Sequence, residues 1–290
     1  MLNTNHADLV AVSVAGAIAH PGFPGLPAEP YRLAASGKPF LLPTYGGIVY
    51  NVSIGDRAFG WAADCIHPGI SIKQADDLKN RGLNVFACVG NRAKVMTGQA
   101  AGTVGLVTGK SGRFSEQVIC HFPKHSRLKM AVGDQIIIRS EGIGMVLTDF
   151  PDVVLKGVAP GLLSLLSVRV GKSADFGVVA RIPAHLIGAG LGLTSEGGSL
   201  HMQSTDRAEL AAHGLDSLRL GDLVALDDTD SRFNHGYLRG ALAIGVVGAT
   251  DGPRAGYGPG ITVLMTSPAG QLGCFIDPGA NIADLMQIEA

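Results

Sequence analysis

The stretch Gly105-Leu106-Val107-Thr108-Gly109-Lys110-Ser111-Gly112 contains Gly-Lys-Ser, the close of the phosphate-cradling P-loop. A true P-loop opens a helix whose first amides hold phosphate, and would place this chain among α/β nucleotide-binding proteins. Two features exclude that. The pattern needs a Gly at position 104, where this chain has Val104, so Gly105 stands one residue late. Gly112 then follows Ser111 at once, and Phe114 to Phe122 has the β-branched and aromatic makeup of a strand. The stretch therefore reads as a hairpin, with Thr108–Gly112 as the loop between strands Thr103–Val107 and Gln117–Phe122. In such a loop Lys110 is either solvated or directed at an anionic ligand, because Gly-rich turns bring backbone amides close to ligands.

Working outward, most periodicity is strand-like. Val10–Ile18, Gly47–Val52, Asn84–Val89, Ala93–Met96, Gln135–Arg139, Leu223–Leu226 and Leu242–Val247 are short apolar runs bounded by turn residues. Gly-Asp turns precede two of them, at Gly133-Asp134 and Gly221-Asp222. Helical signals are fewer. Ile72–Arg81 ends at Gly82, Asp206–His213 has a capping Asp206 with Glu209 three residues on, and Asn281 precedes Ile282–Ile288. Pro21–Pro30 is a Pro-rich loop. The predicted class is mainly β (α+β), with barrel-like or sandwich-like subdomains and a few short helices. A boundary near Pro151–Pro160 divides a β-rich N-terminal domain (1–150) from a β-rich C-terminal domain with short helices (151–290).

Composition narrows the function classes. Charged residues make up 16% of the 290, glycines number 41, and the mean hydropathy is positive. Much buried chain, many tight turns and a homo-oligomeric interface are expected. The net charge of -1 gives no electrostatic footprint for nucleic acid or an anionic membrane. Cys65, Cys88, Cys120 and Cys274 include no Cys-x-x-Cys pair and are too sparse for a disulfide scaffold, which fits a reducing compartment. No basic residue precedes the apolar run Val10–Ala19, and no run approaches the ~20 residues that span a bilayer. A cytoplasmic protein is expected.

Several short stretches carry reactive groups. Asp64-Cys65-Ile66-His67 places Cys65 and His67 on one side of an extended segment and Asp64 on the other. Cys and His on one face suit a thiolate–imidazolium pair or two metal ligands; the bland reading is a buried cysteine beside a turn histidine. Ser199, His201 and Gln203 share a face by alternation. The preceding Gly188-Ala189-Gly190-Leu191-Gly192 is a flexible loop that lets a ligand approach closely. Asp227-Asp228-Thr229-Asp230 lacks the Gly and Glu of an EF-hand loop and reads as a polar strand end, with Asp230 as a single candidate ligand. Tyr257, set among the glycines of Ala255-Gly256-Tyr257-Gly258-Pro259-Gly260, is presented either to a ligand or to a subunit interface.

Taken in order, Gly46 to Asn51, Gly55-Asp56, Asp64 to Ser71, Val89-Gly90-Asn91, Gly105 to Gly112, Gly188 to Gly192, Gly221 to Ala225, Ile244 to Val247 and Gly256 to Thr262 resemble a prokaryotic domain-of-unknown-function family, 4438, over almost the whole chain. The resemblance implies a fold and a site position rather than a reaction. Asp64, Asn91, Lys110, Asp222, Asp230 and Asp251 fit the family's pattern, and Gln203 is retained. Other positions depart from it. Where the family tends to carry His, this chain has Cys65, Ser111, Tyr257 and Ala249; where it carries Glu, His67; where it carries Asp, Ser199 and His201. A site of His and carboxylates around a metal is therefore much exchanged here.

The expectation is an enzyme acting on a small polar metabolite, with hydrolase-type chemistry on an amide, imide or lactone between the two halves. Asp64, Cys65, His67, Lys110 and Tyr257 are the candidate catalytic residues. Asn91, Gly109, Gly190, Ser199, His201 and Gln203 are candidates for substrate binding. A divalent metal such as zinc is the candidate cofactor, on Cys65, His67 and His201. The alternative is a non-catalytic metabolite-binding or sensor protein with a degenerate site. A purely structural assembly subunit is a third reading, and it predicts no pocket where these loops meet.

Overall fold

The computed structural model describes residues 2–22, 31–112, 116–268 and 270–289. Strand β1 is Val12–Ile18, and Arg32–Leu33 and Pro39–Phe40 pair as a small hairpin, β2–β3. Next come β4 (Ile70–Lys73), helix α1 (Asp77–Phe86), β5 (Arg92–Val95), β6 (Val104–Ser111), β7 (Gln117–His121), the single-turn α2 (Lys124–Arg127) and β8 (Gln135–Ser140). Strands β1, β4, β7, β6, β5 and β8 close into a six-stranded barrel, antiparallel throughout. Its interior follows the period of two that a pleated strand imposes. Ala93 and Val95 of β5, and Ile136 and Ile138 of β8, point inward and are fully buried, while the residues between them are more exposed. Leu83 of α1 enters the same core.

The chain continues with β9 (Val154–Leu155), α3 (Pro160–Leu163), β10 (Val168–Val170), β11 (Ala174–Val178), β12 (Ala180–Ile182), a 3-10 turn (Ala184–Leu186), β13 (Leu200–His201) and α4 (Arg207–Ala212). It ends in β14 (Leu223–Asp230), β15 (Gly236–Ala249), β16 (Gly260–Ser267), β17 (Leu272–Ile276) and α5 (Ile282–Leu285). A six-stranded sheet runs β12-β14-β15-β16-β13, with β9 also on β16, and β10-β11-β17 form a smaller one. The core of this part recruits Val52, Ile54, Phe59 and Ile66 from well before the barrel's last strand.

The fold is mainly β with a closed barrel and short helices. The opening stretch settles differently from a hairpin loop. Strand β6 runs on through Thr108, Gly109 and Lys110 to Ser111, and every residue from Val107 to Ser111 is buried. The physical reason is a second sheet against its outer face. Gly109 meets Gly248 of β15, and a Cβ built on Gly109 lies 3.3 Å from the Gly248 Cα. The Thr262 hydroxyl of β16 accepts from the Lys110 N–H at 2.9 Å and donates to the Lys110 carbonyl at 3.1 Å. A strand covered on both faces shows no polar alternation, so its polar residues mimic a loop.

Three other expectations change. Ile72–Arg81 is not one helix: β4 ends at Lys73, and Asp76 starts α1 by accepting from the Lys79 N–H at 2.9 Å. Asn84–Val89 is not a strand, because its first residues form the last turn of α1, which passes through Gly82. Gly47–Val52 makes only an isolated bridge, Ile48 to Ile70. The helix at Asp206–His213 is present as α4, capped by Asp206 on the Glu209 N–H, and Asn281 caps α5. Of the Pro21–Pro30 loop, residues 23–30 lie outside the described residues, as do positions 113–115, where the strand reading from Phe114 begins.

The Thr262 contact is testable. Thr262→Val keeps the shape but leaves a buried N–H and carbonyl without their partner, an expected loss of about 1–3 kcal/mol in urea unfolding. Thr262→Ser keeps the hydroxyl and most of the stability. Equal losses in the two variants, or none in either, contradict the assignment.

Candidate functional site

A cavity of about 210 Å³ lies where β6, the segment around Tyr45 to His67, the loop after the 3-10 turn, β13 and the turn after β15 meet. Its lining includes Cys65, His67, Lys110, Gly190, Ser199, His201 and Tyr257, all expected from the sequence. Asp64 sits directly behind it, fully buried.

The local chain explains the arrangement. Residues 64–66 are clamped onto the turn after β15: the Cys65 N–H donates to the Asp251 carbonyl at 3.0 Å, and the Ile66 N–H to the Thr250 hydroxyl at 2.9 Å. Cys65 adopts a left-handed conformation with φ 57°, so the segment is not extended, yet Cys65 and His67 both line the cavity while Asp64 lies behind it. Gly252 permits the approach, since a Cβ there lies 2.3 Å from the Asp64 Oδ1. Gly188 likewise packs on the backbone of Gly256, with a built Cβ 2.3 Å from its carbonyl oxygen. Gly188 thus serves backbone-to-backbone packing beside the cavity, and Gly252 makes room for the Asp64 carboxylate.

The Arg254 Nε lies 3.0 Å from Oδ1 and 2.9 Å from Oδ2 of Asp64, forming a buried ion pair. The guanidinium also stacks on the Tyr257 ring at 3.9 Å, and that ring meets the His201 imidazole at 5.2 Å between centroids. A guanidinium, a phenol and an imidazole in series therefore form one wall, with the Asp64 carboxylate behind the guanidinium. On another wall the Tyr45 and His67 rings stack at 5.9 Å. The His201 Nδ1 donates to the Gly258 carbonyl at 3.0 Å, which leaves the lone pair of the neutral ring on Nε2.

Burial governs the titrations. Loss of solvent, then the neighbouring His201, depresses His67 to about 3. His201 is also lowered, mainly by desolvation, against the raising effect of its Gly258 bond. Desolvation, then the Asp64 charge, pushes the Cys65 thiol up to about 12. Cys65 donates weakly to the Tyr257 carbonyl at 3.7 Å and has Arg254 Nη2 at 3.7 Å. His67 instead pairs through Nδ1 with the Ser71 hydroxyl at 2.7 Å. A thiolate–imidazolium pair is therefore not formed; a neutral thiol and a neutral imidazole occupy those positions. Lys110 is lowered by burial, and its Nζ lies 3.5 Å from the Val85 carbonyl in the last turn of α1, where the helix dipole favours a cation.

Other expected residues do structural work. Asn91 accepts from the Cys88 N–H at 2.8 Å and donates to the Glu141 carbonyl at 2.9 Å, away from the cavity lining. Gly109 lies at the sheet contact and does not line the cavity, and Gln203 stands outside it as well. Asp230 is taken by Arg232 at 2.9 Å, Asp251 by Arg207 at 2.8 Å, and Asp222 accepts from Asn281 at 2.7 Å. The Cys65, His67 and His201 metal trio does not converge. Among the described residues, the His/Cys/Asp/Glu group whose ligand atoms all lie within 4.8 Å is His185, Glu209 and His213. The cation beside Cys65 and Asp64 is the Arg254 guanidinium. Arg254, Arg32 and Tyr45 also line the cavity and were not expected. The one sequence signal for Arg254 is a cation inside the turn-rich Asp251-Gly252-Pro253-Arg254 run.

Three outcomes follow from this geometry. Arg254→Met leaves the Asp64 charge buried and unpaired, with an expected loss of about 3–5 kcal/mol in denaturant unfolding. In native protein at neutral pH, Cys65 reacts with iodoacetamide more slowly than in the unfolded chain, read by peptide mapping; faster native labelling contradicts the protonated, buried thiol. The depressed histidines give the third. His67 at about 3, and His121 and His235 at about 4, bind protons below ~6.5 more readily when unfolded. Their stabilisation is complete above ~6.5 and is lost as pH falls, toward about 4 for His121 and His235 and about 3 for His67, by up to ~1.4 kcal/mol per pH unit for each. His235→Gln flattens that decline, and an unchanged slope excludes His235 from it.

No curated protein matches the chain at significance. A solved structure described as the crystal structure of TM1086 matches with a TM-score of 0.91 and 36% identity, over 98% of this chain and 98% of that one. The N-terminal model of a domain of unknown function, DUF4438, matches residues 31–164, and the corresponding C-terminal model matches residues 171–286. With both halves matched in order along one continuous fold, the chain belongs to the DUF4438 family.

Proposed function

We propose that this protein is an enzyme that takes a small polar metabolite into the cavity and acts on it by hydrolase-type chemistry at an amide, imide or lactone carbonyl. One observation carries the proposal. Residues from five separate chain segments bring an oriented, neutral histidine and several cations around one hollow of about 210 Å³. That volume lies below the ~300–1,000 Å³ usual for larger ligands and suits a small molecule.

In this reading His201 is the base. Its Nδ1–H is held by the Gly258 carbonyl, so Nε2 takes a proton from a water whose oxygen bonds to the carbonyl carbon, and returns it to the departing nitrogen or oxygen as the C–N or C–O bond breaks. Arg254, held by Asp64, and Lys110 stabilise negative charge developing on the carbonyl oxygen. Tyr257 and Tyr45 close the walls around the substrate. Cys65 serves as a neutral wall residue rather than a nucleophile, because its thiol is pushed up to about 12. The four cysteines are free, as suits a cytoplasmic setting. Among the described residues no helix is long and apolar enough to cross a membrane.

A second reading, a binding or sensor protein, is favoured by one fact. Burial lowers His201, the base of the enzyme reading, just as it lowers His67 to about 3. A panel of small carboxylates, amides, imides and lactones separates the two, using thermal shift for binding and product analysis for turnover. The enzyme reading expects a ligand that is also converted, with His201→Gln lowering kcat by at least 100-fold while binding persists. Binding without conversion by the wild type favours the sensor. No binding by any member of the panel counts against both.

A further inference from the structure

Away from the cavity, two histidines converge on one carboxylate. The His185 Nε2 in the 3-10 turn lies 2.9 Å from the Glu209 Oε1 of α4, and the His213 Nε2 at the end of that helix lies 3.2 Å from the same oxygen. Glu209 and His213 share a helix face at spacing i, i+4, and Asp206 fixes the helix start by accepting from the Glu209 N–H at 3.0 Å. The two imidazoles stand 6.0 Å apart between centroids at 65°, and all three ligand atoms fall within 4.8 Å of one another. A four-coordinate ion with bonds of ~2.0–2.1 Å sets its ligand atoms about 3.3 Å apart. Two edges of the triangle are already within a few tenths of an ångström of that. Both histidines are exposed and Glu209 is half-buried, so the group is open to solvent and a fourth position is left for water.

The donor set selects the ion. Two imidazole nitrogens and one carboxylate oxygen suit zinc, cobalt or nickel, whereas magnesium and calcium prefer oxygen alone. The position gives the ion a role. His185 directly precedes the stretch in which the Leu186 carbonyl accepts from the Gln203 N–H at 2.8 Å, and the Ala189 carbonyl from the His201 N–H at 2.8 Å. This two-stranded ladder carries Ala189, Gly190 and His201 to the cavity wall.

We propose that His185, Glu209 and His213 form a divalent metal site of the zinc class, which staples the 3-10 turn to α4 and so fixes the root of that ladder. The site is independent of the reaction proposed for the cavity. The test uses the full chain without an affinity tag, stripped with EDTA, and titrated with zinc chloride by equilibrium dialysis and metal analysis. The expected result is one zinc per chain, with a tetrahedral visible spectrum on cobalt substitution. His185→Gln and His213→Gln each weaken binding at least tenfold, while Cys65→Ser binds as the wild type does. These exposed positions tolerate Gln, and the wild-type Tm rises with zinc while that of His185→Gln does not. No saturable binding, binding unchanged in both Gln variants, or binding lost in Cys65→Ser overturns the site. Stoichiometric binding without a rise in Tm overturns the staple.

Discussion

The architecture depends on how closely the barrel and the large sheet approach at Gly109. With no Cβ on Gly109 or on Gly248, the two backbones close to near contact, and the Thr262 hydroxyl bonds both polar groups of the Lys110 peptide. That one threonine satisfies a donor and an acceptor that burial would otherwise leave unpaired. The approach then dictates what comes after it. The strand cannot turn at Thr108, so Lys110 and Ser111 are carried onward to the cavity, and the Gly112 N–H meets the Ser199 hydroxyl from the far half of the chain at 2.9 Å. The cavity is the gap left where two layered β structures meet and their connecting loops fail to fill the corner.

Behind one wall, the buried carboxylate is partnered. Asp64 is fully buried, and its carboxylate is matched by Arg254, which spends its remaining surface on the Tyr257 ring. The histidines face the opposite constraint. Among the described residues no carboxylate offsets the burial of His67, so desolvation keeps it neutral, and the same force keeps the Cys65 thiol protonated. With a neutral thiol and imidazole at 65 and 67, the positive charge of the site comes from Arg254, Lys110 and Arg32.

The sequence showed which reactive side chains meet better than what each residue does there. Cys65, His67, Lys110, Ser199, His201 and Tyr257 each stood out as reactive or unusual side chains among glycines, and all six line the cavity. Asn91, Gly109 and Gln203 carried the same kind of signal but do not line it, because polar side chains also serve turns, sheet contacts and strand ends. Arg254 was passed over because a lone arginine in a turn reads as solvated until its partner, 190 residues away, is known. Secondary structure failed where burial hid periodicity, as in β6, and where a cap rather than a glycine sets the boundary, as at Asp76.

By itself the sequence determined the mainly β class, the short capped helices, the exclusion of a P-loop and the membership of reactive residues in a few glycine-rich stretches. These follow from local rules, since alternation, capping and turn chemistry act over fewer than about ten residues. The tertiary structure alone decided that the barrel closes, that Gly109 belongs to a sheet contact, that Arg254 neutralises Asp64 and that Cys65 and His67 are uncharged. Those outcomes depend on which distant groups share a desolvated space, and no local pattern encodes that.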